Sequence, residues 1–121
     1  MPVAENPVER RLAAILAADV VGYSKLMGTD ETGTLVLLTK LRVEQVNPRI
    51  SEHNGRVFKT TGDGFLVEFS SVVNAVACAV DIQRAMAARN VDNSESPRIQ
   101  FRIGVNLGDV IIEGEDVFGD G

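Results

Sequence analysis

An apolar run that ends in a carboxylate constrains this chain more than any other feature. Residues 12–18 are all apolar, and Asp19 follows them directly. The unbroken run predicts a central strand that is covered on at least one face. A carboxylate at the end of such a strand costs free energy unless a cation or a hydrogen-bond donor holds it. Asp19 is therefore either a cap for the turn at residues 20–22 or part of a cation site.

A second carboxylate, Asp63, lies in the sequence Thr-Gly-Asp-Gly at residues 61–64, between two strand-like segments. Taken alone, an Asp-Gly pair is typical of the tip of a tight hairpin. In a β-α-β-β-α-β sheet, however, this hairpin lies beside the first strand, with its tip near the C-terminal end of that strand. We therefore expect Asp19 and Asp63 to converge. Carboxylates, water and substrate phosphates are the ligands that Mg²⁺ prefers, so the pair indicates nucleotide chemistry.

The order of the predicted elements favours an α+β fold, with helices packed on one face of a mostly antiparallel sheet. The first strand is predicted to begin at residues 10–11, a hairpin to occupy residues 57–60 and 65–69, and a further strand to occupy residues 99–107. Gly108 and Asp109 are predicted to turn the chain into a short strand at residues 110–112. Residues 114–121 are predicted to be a loop.

Three helical segments are predicted. The first begins at the cap formed by residues 29–31 and is interrupted at Pro48, where Asn47 is expected to cap a second segment that ends at His53. The third helix is predicted to follow a cap at residues 70–71. Its apolar stripe is expected to pack in the core: Val72, Ala75, Val76, Ala79, Ile82 and Met86.

The composition excludes several classes of function. A chain of 121 residues fits one domain, and its net charge of -5 argues against a broad nucleic-acid-binding surface. Cys78 is the single cysteine, which excludes a disulfide framework and is typical of a reducing, cytoplasmic compartment. No apolar stretch reaches the length of a membrane span, so we expect no membrane contact from this segment. Residues 1–9, with prolines at positions 2 and 7, are predicted to be a flexible leader.

Four segments carry a family resemblance. They are Ala-Asp-Val-Val-Gly-Tyr-Ser at residues 18–24, Phe-Lys-Thr-Thr-Gly-Asp-Gly at 58–64, Arg-Ile-Gly-Val-Asn-Leu-Gly at 102–108 and Asp-Val-Phe-Gly at 116–119. In order and spacing they resemble the class III adenylate/guanylate cyclase catalytic domain of bacteria. The resemblance implies a ferredoxin-like fold, related to the palm of some polymerases, in which residues 10–121 form part of a nucleotide cyclase catalytic domain.

The resemblance also implies a reaction. Family members convert a nucleoside triphosphate to its 3′,5′-cyclic monophosphate and pyrophosphate with two divalent ions, Mg²⁺ or Mn²⁺. The positions of Asp19 and Asp63 hold both ions in the family, and the backbone carbonyl of Val20 is a further ligand. The backbone of the segment that follows contacts the substrate phosphates: Val21, Gly22, Tyr23 and Ser24.

Base choice depends on two positions of the same resemblance. Adenine offers an acceptor ring nitrogen and a donor amino group, so Lys59 as donor and Asp116 as acceptor suit ATP. Guanine has an acceptor oxygen in place of the amino donor and an N–H at the neighbouring ring position. It would therefore place a donor against Lys59 and an acceptor against Asp116. The family's guanylate cyclases typically carry glutamate and cysteine at these two positions. Outside this context Lys59 is interpreted as a solvated strand lysine and Asp116 as a loop acid.

The chain departs from the family pattern in one respect. After the Asp-Val-Phe-Gly segment the family has a helix with an asparagine and an arginine, then two more strands, and none of these is present before Gly121. We therefore expect the 121-residue fragment alone to be inactive, and further regulatory domains to follow in the full protein. The resemblance implies a homodimer with its active sites at the interface.

Two functions stay open at this point. The first is an adenylate cyclase, and the second is a catalytically silent, cyclase-like module that binds nucleotide or regulates a partner; a guanylate cyclase is a variant of the first. Other charged and polar residues are interpreted without a catalytic role. Arg11 and Arg102 are interpreted as strand-edge or solvated charges, and Tyr23 as a packing residue rather than a catalyst.

Overall fold

Two long antiparallel strands form the centre of the sheet. The computed structural model describes residues 9–93, 95–113 and 116–119. Strand β1 spans Glu9–Val20 and β4 spans Phe101–Glu113, and they pair from Glu9 opposite Ile112 to Val20 opposite Phe101. Strands β2 (Arg56–Thr60), β3 (Gly64–Phe69) and β5 (Asp116–Gly119) complete an antiparallel sheet of order β2-β3-β1-β4-β5. The predicted α+β, ferredoxin-like arrangement is confirmed.

The helices begin largely where the capping residues predict. They are α1 (Tyr23–Thr29), α2 (Glu31–Leu41), α3 (Asn47–Glu52) and α4 (Val72–Asp92), and a π-helical turn (Arg42–Val46) joins α2 to α3. The Asp30 carboxylate accepts the Gly33 N–H at the start of α2, and the Ser71 hydroxyl accepts the Asn74 N–H at the start of α4. Each bond satisfies a backbone donor that has no partner within its helix.

The region around Pro48 differs from its prediction. Asn47 has helical dihedral angles and is the first residue of α3, so the prediction that it caps this segment is wrong. Proline lacks an N–H and its ring crowds the carbonyl one turn earlier. The wider π-helical turn ends at Val46, two residues before Pro48, which lets the chain bend without leaving a helical path. Helix α1 was not predicted, because its seven residues show no apolar period.

The end of the chain also differs. The predicted turn at Gly108 and Asp109 is wrong, because both residues pair with β1 and β4 continues to Glu113. Continuous pairing with the long strand β1 outweighs the local turn tendency of a Gly-Asp pair. The predicted loop at residues 114–121 contains β5, which pairs back onto β4 with Asp116 opposite Glu113.

The core lies between the helices and one face of the sheet. Alternate residues of β1 and β3 point towards the helices, as the period of two requires, and the main buried cluster includes Leu16, Val20, Phe65, Val67, Phe69, Cys78, Ile82 and Met86. Val72 and Val76 of the predicted α4 stripe are exposed instead. Asp19 and Arg102 lie on the opposite face, because they alternate with these core residues. None of the described helices is long and apolar enough to cross a membrane.

Candidate active site

The strand register brings the two predicted carboxylates to the same place. Asp19, near the end of β1, lies opposite Gly64 of β3 on one side and opposite Arg102 of β4 on the other. Asp63 directly precedes Gly64 in the hairpin between β2 and β3. The convergence that the sequence predicts for Asp19 and Asp63 is therefore present in the fold.

The hairpin tip is held by its own hydrogen bonds and by close packing on β1. The Thr61 N–H donates to the Gly64 carbonyl at 2.9 Å, and the Gly64 N–H donates to the Thr61 hydroxyl at 3.0 Å. A Cβ atom at Gly64 would lie 2.4 Å from the carbonyl oxygen of Ala18, which is too close for any side chain. Glycine at this position therefore allows the tip, and Asp63 with it, to approach β1.

An open cleft of about 550 Å³ lies where these elements meet. Its polar wall contains Asp19, Lys59, Thr61, Asp63 and Arg102. Its apolar part is formed by Ala17, Ala18, Phe65, Leu66 and Ile103, with Gly104 beside them. This volume falls within the range of small-molecule sites, and a few polar groups on a largely apolar lining are typical of them. The cleft can therefore accept a ligand of nucleotide size.

Arg102 is a site residue that the sequence interpretation missed. Its Nε donates to Asp19 Oδ1 at 2.9 Å and its Nη2 donates to Asp19 Oδ2 at 3.0 Å, a bidentate pairing. These bonds hold the pKa of the Asp19 carboxyl below its usual value. The same bonds, with a smaller contribution from the charge of Asp63, raise the pKa of the Arg102 guanidinium. Arg102 is exposed, as its interpretation as a solvated charge implies, but that interpretation lacked its pairing with Asp19.

A signal for Arg102 was available in the sequence. Strand 99–107 alternates, and Phe101 and Ile103 face the core, so Arg102 must face the same side of the sheet as Asp19. The pairing of β1 with β4, which brings the two residues opposite each other, joins positions that are 83 residues apart. Arg11 is likewise paired, with the buried carboxylate of Glu68.

The segment after Asp19 lies beside the hairpin tip. The Val20 side chain is buried, and the Val21 N–H donates to the Gln100 carbonyl at 2.9 Å. Gly22 adopts a left-handed conformation (φ +69°) and precedes α1. A Cβ atom at Gly62 would lie 3.3 Å from the Tyr23 hydroxyl, so the ring of Tyr23 lies against the tip. Ser24 is exposed.

The two predicted base-binding positions lie on β2 and β5. Lys59 is exposed on β2, and it lines the cleft together with the aspartates. Asp116 is the first residue of β5, and its side chain lies outside the described part of the structure. The sheet curls so that β5 approaches β2 to within 8 Å between Cα atoms, although the two strands are at opposite ends of the strand order.

The donor set suits a hard cation. Within residues 9–93, 95–113 and 116–119, no three histidine, cysteine, aspartate or glutamate side chains come together, and the carboxylates that line the cleft are those of Asp19 and Asp63. One or two protein carboxylates with water and phosphate oxygens are the usual ligands of Mg²⁺. These two side chains are therefore the residues of the cleft that could hold such an ion.

Comparison with known proteins decides the family. The sequence profile of the "Adenylate and Guanylate cyclase catalytic domain" matches residues 7–118, which is nearly the whole chain. The chain belongs to this family. The resemblance drawn from the four motifs is thereby confirmed.

Several relatives of this cyclase domain are known. A protein of Rhizobium meliloti described as "Putative adenylate cyclase 3" is 56% identical over 98% of this chain. The crystal structure of an adenylate/guanylate cyclase/hydrolase from Silicibacter pomeroyi is 47% identical over 94% of this chain, with a TM-score of 0.82. The guanylyl cyclase Cya2 is 26% identical over 93% of this chain, with a TM-score of 0.76.

This cyclase domain spans only part of each relative. It covers 20% of the Rhizobium protein, 66% of the Silicibacter chain and 65% of the Cya2 chain. The relatives therefore contain further sequence outside the part that matches this chain.

Proposed function

We propose that the protein is an adenylate cyclase, a phosphorus–oxygen lyase that converts ATP to 3′,5′-cyclic AMP and pyrophosphate. The observation that carries this proposal is the meeting of Asp19 and Asp63 in one cleft, at the end of β1 and the tip of the β2–β3 hairpin. Family membership supports cyclase chemistry in general. The residues of the cleft support the particular roles that follow.

The two aspartates are the proposed metal ligands. Asp19 and Asp63 would hold two Mg²⁺ or Mn²⁺ ions, with the Val20 carbonyl as a further ligand. Such ions, when bound, lower the pKa of an attacking hydroxyl and compensate the charge of a triphosphate. The chain's own contribution is to hold both carboxylates on hydrogen-bonded supports, the paired strand β1 and the Thr61–Gly64 turn, so that little reorganisation is needed.

The phosphates are proposed to contact the backbone after Asp19. The Val21 N–H already donates to the Gln100 carbonyl and is therefore not free to bind a phosphate. The proposed phosphate contacts are the backbone groups of Gly22, Tyr23 and Ser24. Gly22 adopts the left-handed conformation at the turn between β1 and α1, directly after the proposed metal ligand segment. Tyr23 supports this turn through its contact with the hairpin tip.

ATP is the proposed substrate because of Lys59 and Asp116. A lysine donor and an aspartate acceptor match the acceptor–donor edge of adenine and oppose that of guanine. The names of the relatives include both an adenylate and a guanylyl cyclase, so family membership alone does not decide the base. The proposal of ATP therefore rests on Lys59 and Asp116. Lys59→Glu together with Asp116→Cys should erode the preference for ATP, since it removes the mismatch with guanine. A wild-type protein that prefers GTP would contradict the assignment.

The proposed working unit is a homodimer in the cytoplasm. Residues 10–121 would form part of its catalytic domain, and further domains would follow Gly121. Of the predicted leader, residues 1–8 lie outside the described residues, whereas Glu9 is the first residue of β1. A two-fold contact produces two equivalent sites at once. The single buried, unpaired Cys78 fits a reducing compartment.

The test is cyclic nucleotide production by the full-length protein with Mg²⁺ or Mn²⁺. Wild type should form cyclic AMP from ATP, and Asp63→Asn should reduce kcat by about 100-fold or more, since the loss of a carboxylate leaves transition-state charge uncompensated. Asp109→Asn, an exposed carboxylate of β4 outside the cleft, is the matched control and should keep wild-type activity. Equal activity of the Asp63 and Asp109 variants would contradict the proposal.

A second candidate is a catalytically silent module that binds nucleotide. The bidentate pairing of Arg102 with both oxygens of Asp19 favours it, because a carboxylate neutralised in this way has no need of a metal ion. Calorimetry with a non-hydrolysable ATP analogue separates the two. Binding that is independent of Mg²⁺, without turnover, would favour the silent module.

A further inference from the structure

Arg102 occupies the coordination positions of Asp19. Both carboxylate oxygens of Asp19 accept a hydrogen bond from the guanidinium, at 2.9 Å and 3.0 Å. A divalent ion takes carboxylate oxygens at about 2.0–2.1 Å. A guanidinium bonded to both oxygens uses one lone pair of each and repels a second cation, so the pairing seen here opposes metal binding to Asp19.

We propose that Arg102 is a built-in competitor of the divalent ion: its bidentate pairing neutralises Asp19 and weakens metal binding, and Arg102 releases Asp19 when a metal ion binds. The proposal rests on the proposed function, since it takes Asp19 and Asp63 as the metal ligands. It gives the protein a device that weakens metal binding until a substrate brings additional ligands.

The surroundings of Arg102 allow this exchange. The Arg102 side chain is 73% exposed and that of Asp19 is 41% exposed, so the guanidinium can leave without unfolding any element. Gly104 lies two residues further on the same face of β4, and no atom lies within 4 Å of the position of a Cβ there. The floor of the cleft next to Arg102 is thus made of small residues, Ala17 and Gly104, which pair across the strands and leave room for the displaced side chain.

A purely structural role explains the pairing less well. Exposed ion pairs contribute little to stability, because water screens them and two side chains must be ordered. The fold of β1 against β4 is already maintained by twelve consecutive residue pairs. The charge of Asp63 also acts on Arg102, so the guanidinium lies in the field of both proposed ligands rather than of Asp19 alone.

The experiment measures Mn²⁺ binding to the full-length protein without nucleotide, by electron paramagnetic resonance of free Mn²⁺. Arg102→Gln should tighten binding by about two- to fivefold, the range expected when an exposed ion pair no longer competes. Arg102→Lys keeps the charge but cannot form the bidentate pairing, so its Mn²⁺ affinity should lie between those of wild type and Arg102→Gln. Arg84→Gln removes an equal charge from α4 outside the cleft, and should bind as wild type.

A second measurement follows Arg102 directly. In ¹⁵N-edited spectra, the Arg102 Nε–H signal should shift when Mg²⁺ is added, and the shift should be absent in Asp19→Asn, because the hydrogen bond to Asp19 is lost on metal binding. Thermal melting of each variant confirms that it is folded. The inference is overturned if Arg102→Gln binds Mn²⁺ no more tightly than Arg84→Gln, or if the Arg102 Nε–H signal does not shift when Mg²⁺ is added.

Failure of the proposed function gives a different result. If Asp63→Asn leaves Mn²⁺ binding unchanged, the two-carboxylate site itself is wrong and the inference falls with it. If Asp63→Asn weakens Mn²⁺ binding while Arg102→Gln does not change it, the metal site stands and the competition by Arg102 is rejected.

Discussion

At the scale of single residues, the site depends on a few positions that allow close approach of the backbone. Gly64 is the clearest case, because its hydrogen atom faces the Ala18 carbonyl and Asp63 precedes it in the chain. Gly104 is the contrast: it lies on the neighbouring strand β4 with open space in front of it. The two glycines therefore serve different purposes, and substitution should separate them.

Gly64→Ala should destabilise the domain by about 1–3 kcal/mol, because the added methyl group overlaps backbone and the hairpin must move away from β1. Gly104→Ala should change stability by no more than about 0.5 kcal/mol, since nothing obstructs the methyl group. Urea denaturation of both variants checks this. The close-approach argument fails if the two variants are equally stable.

Burial raises the pKa of the Cys78 thiol to about 11, against a usual value near 9. The thiol is therefore protonated at pH 8, and modification of the peptide that contains it should be about 100-fold slower in the folded protein than in urea, followed by mass spectrometry.

The same shift predicts how stability depends on pH. Above pH 9 the unfolded chain loses the thiol proton while the folded chain keeps it, so stability should fall as pH rises from 9 to 11. Cys78→Ala should lack this component of the slope. A wild-type slope equal to that of the variant would show that the thiol ionises as easily in the folded state.

At the scale of elements, helix α4 connects the site hairpin to β4. It follows β3 directly, begins at the Ser71 cap, and packs Cys78, Ile82 and Met86 into the core beneath the sheet. Near its end, the Asn90 side chain bonds both the N–H and the carbonyl of Ile99, two residues before β4 begins. The start and end of α4 therefore determine how β3 and β4 are placed on either side of β1.

Ser71→Ala should lower the free energy of unfolding by about 0.5–2 kcal/mol, because the Asn74 N–H loses its acceptor at the helix start. Ser70→Ala, at an exposed neighbour, is the matched control and should have little effect. Thermal denaturation of the two variants measures the difference. A larger loss in Ser70→Ala would show that the cap is assigned to the wrong serine.

At the scale of the whole molecule, the residues of one active site come either from a single subunit or from both subunits of the proposed dimer. Lys59 and both aspartates line one cleft within a single chain. A dimer of the kind that the sequence resemblance implies would instead take the lysine and the aspartates of one active site from different subunits. Complementation between inactive variants distinguishes them.

Full-length Asp63→Ala and Lys59→Ala should each be inactive, and an equal mixture should recover about a quarter of wild-type activity. Half of the dimers in such a mixture are mixed, and one of the two sites in each mixed dimer is intact. Cyclic AMP formation after mixing and subunit exchange is the measurement. No recovery, with exchange demonstrated by labelled subunits, would place Lys59 and the aspartates of one site in the same chain.

The sequence by itself determined the parts of this protein that depend on neighbouring residues. The apolar run before Asp19, the alternation around Phe101 and the caps at Asp30 and Ser71 each lie within a few positions, and the structure confirms them. The four ordered motifs were enough to predict the family and the fold class. The convergence of Asp19 and Asp63 followed because a β-α-β-β-α-β sheet has few possible topologies.

Only the tertiary structure decided the features that arise from pairing between distant strands. Arg102 meets Asp19 across 83 residues, β4 runs through Gly108 and Asp109 because β1 is long enough to pair with them, and β5 forms where a loop was predicted. Local turn and loop tendencies are worth less than the hydrogen bonds of a long ladder and the contacts between its side chains. A local pattern cannot report the partner strand, and for that reason the pairing of Asp19 with Arg102 was visible only in the fold.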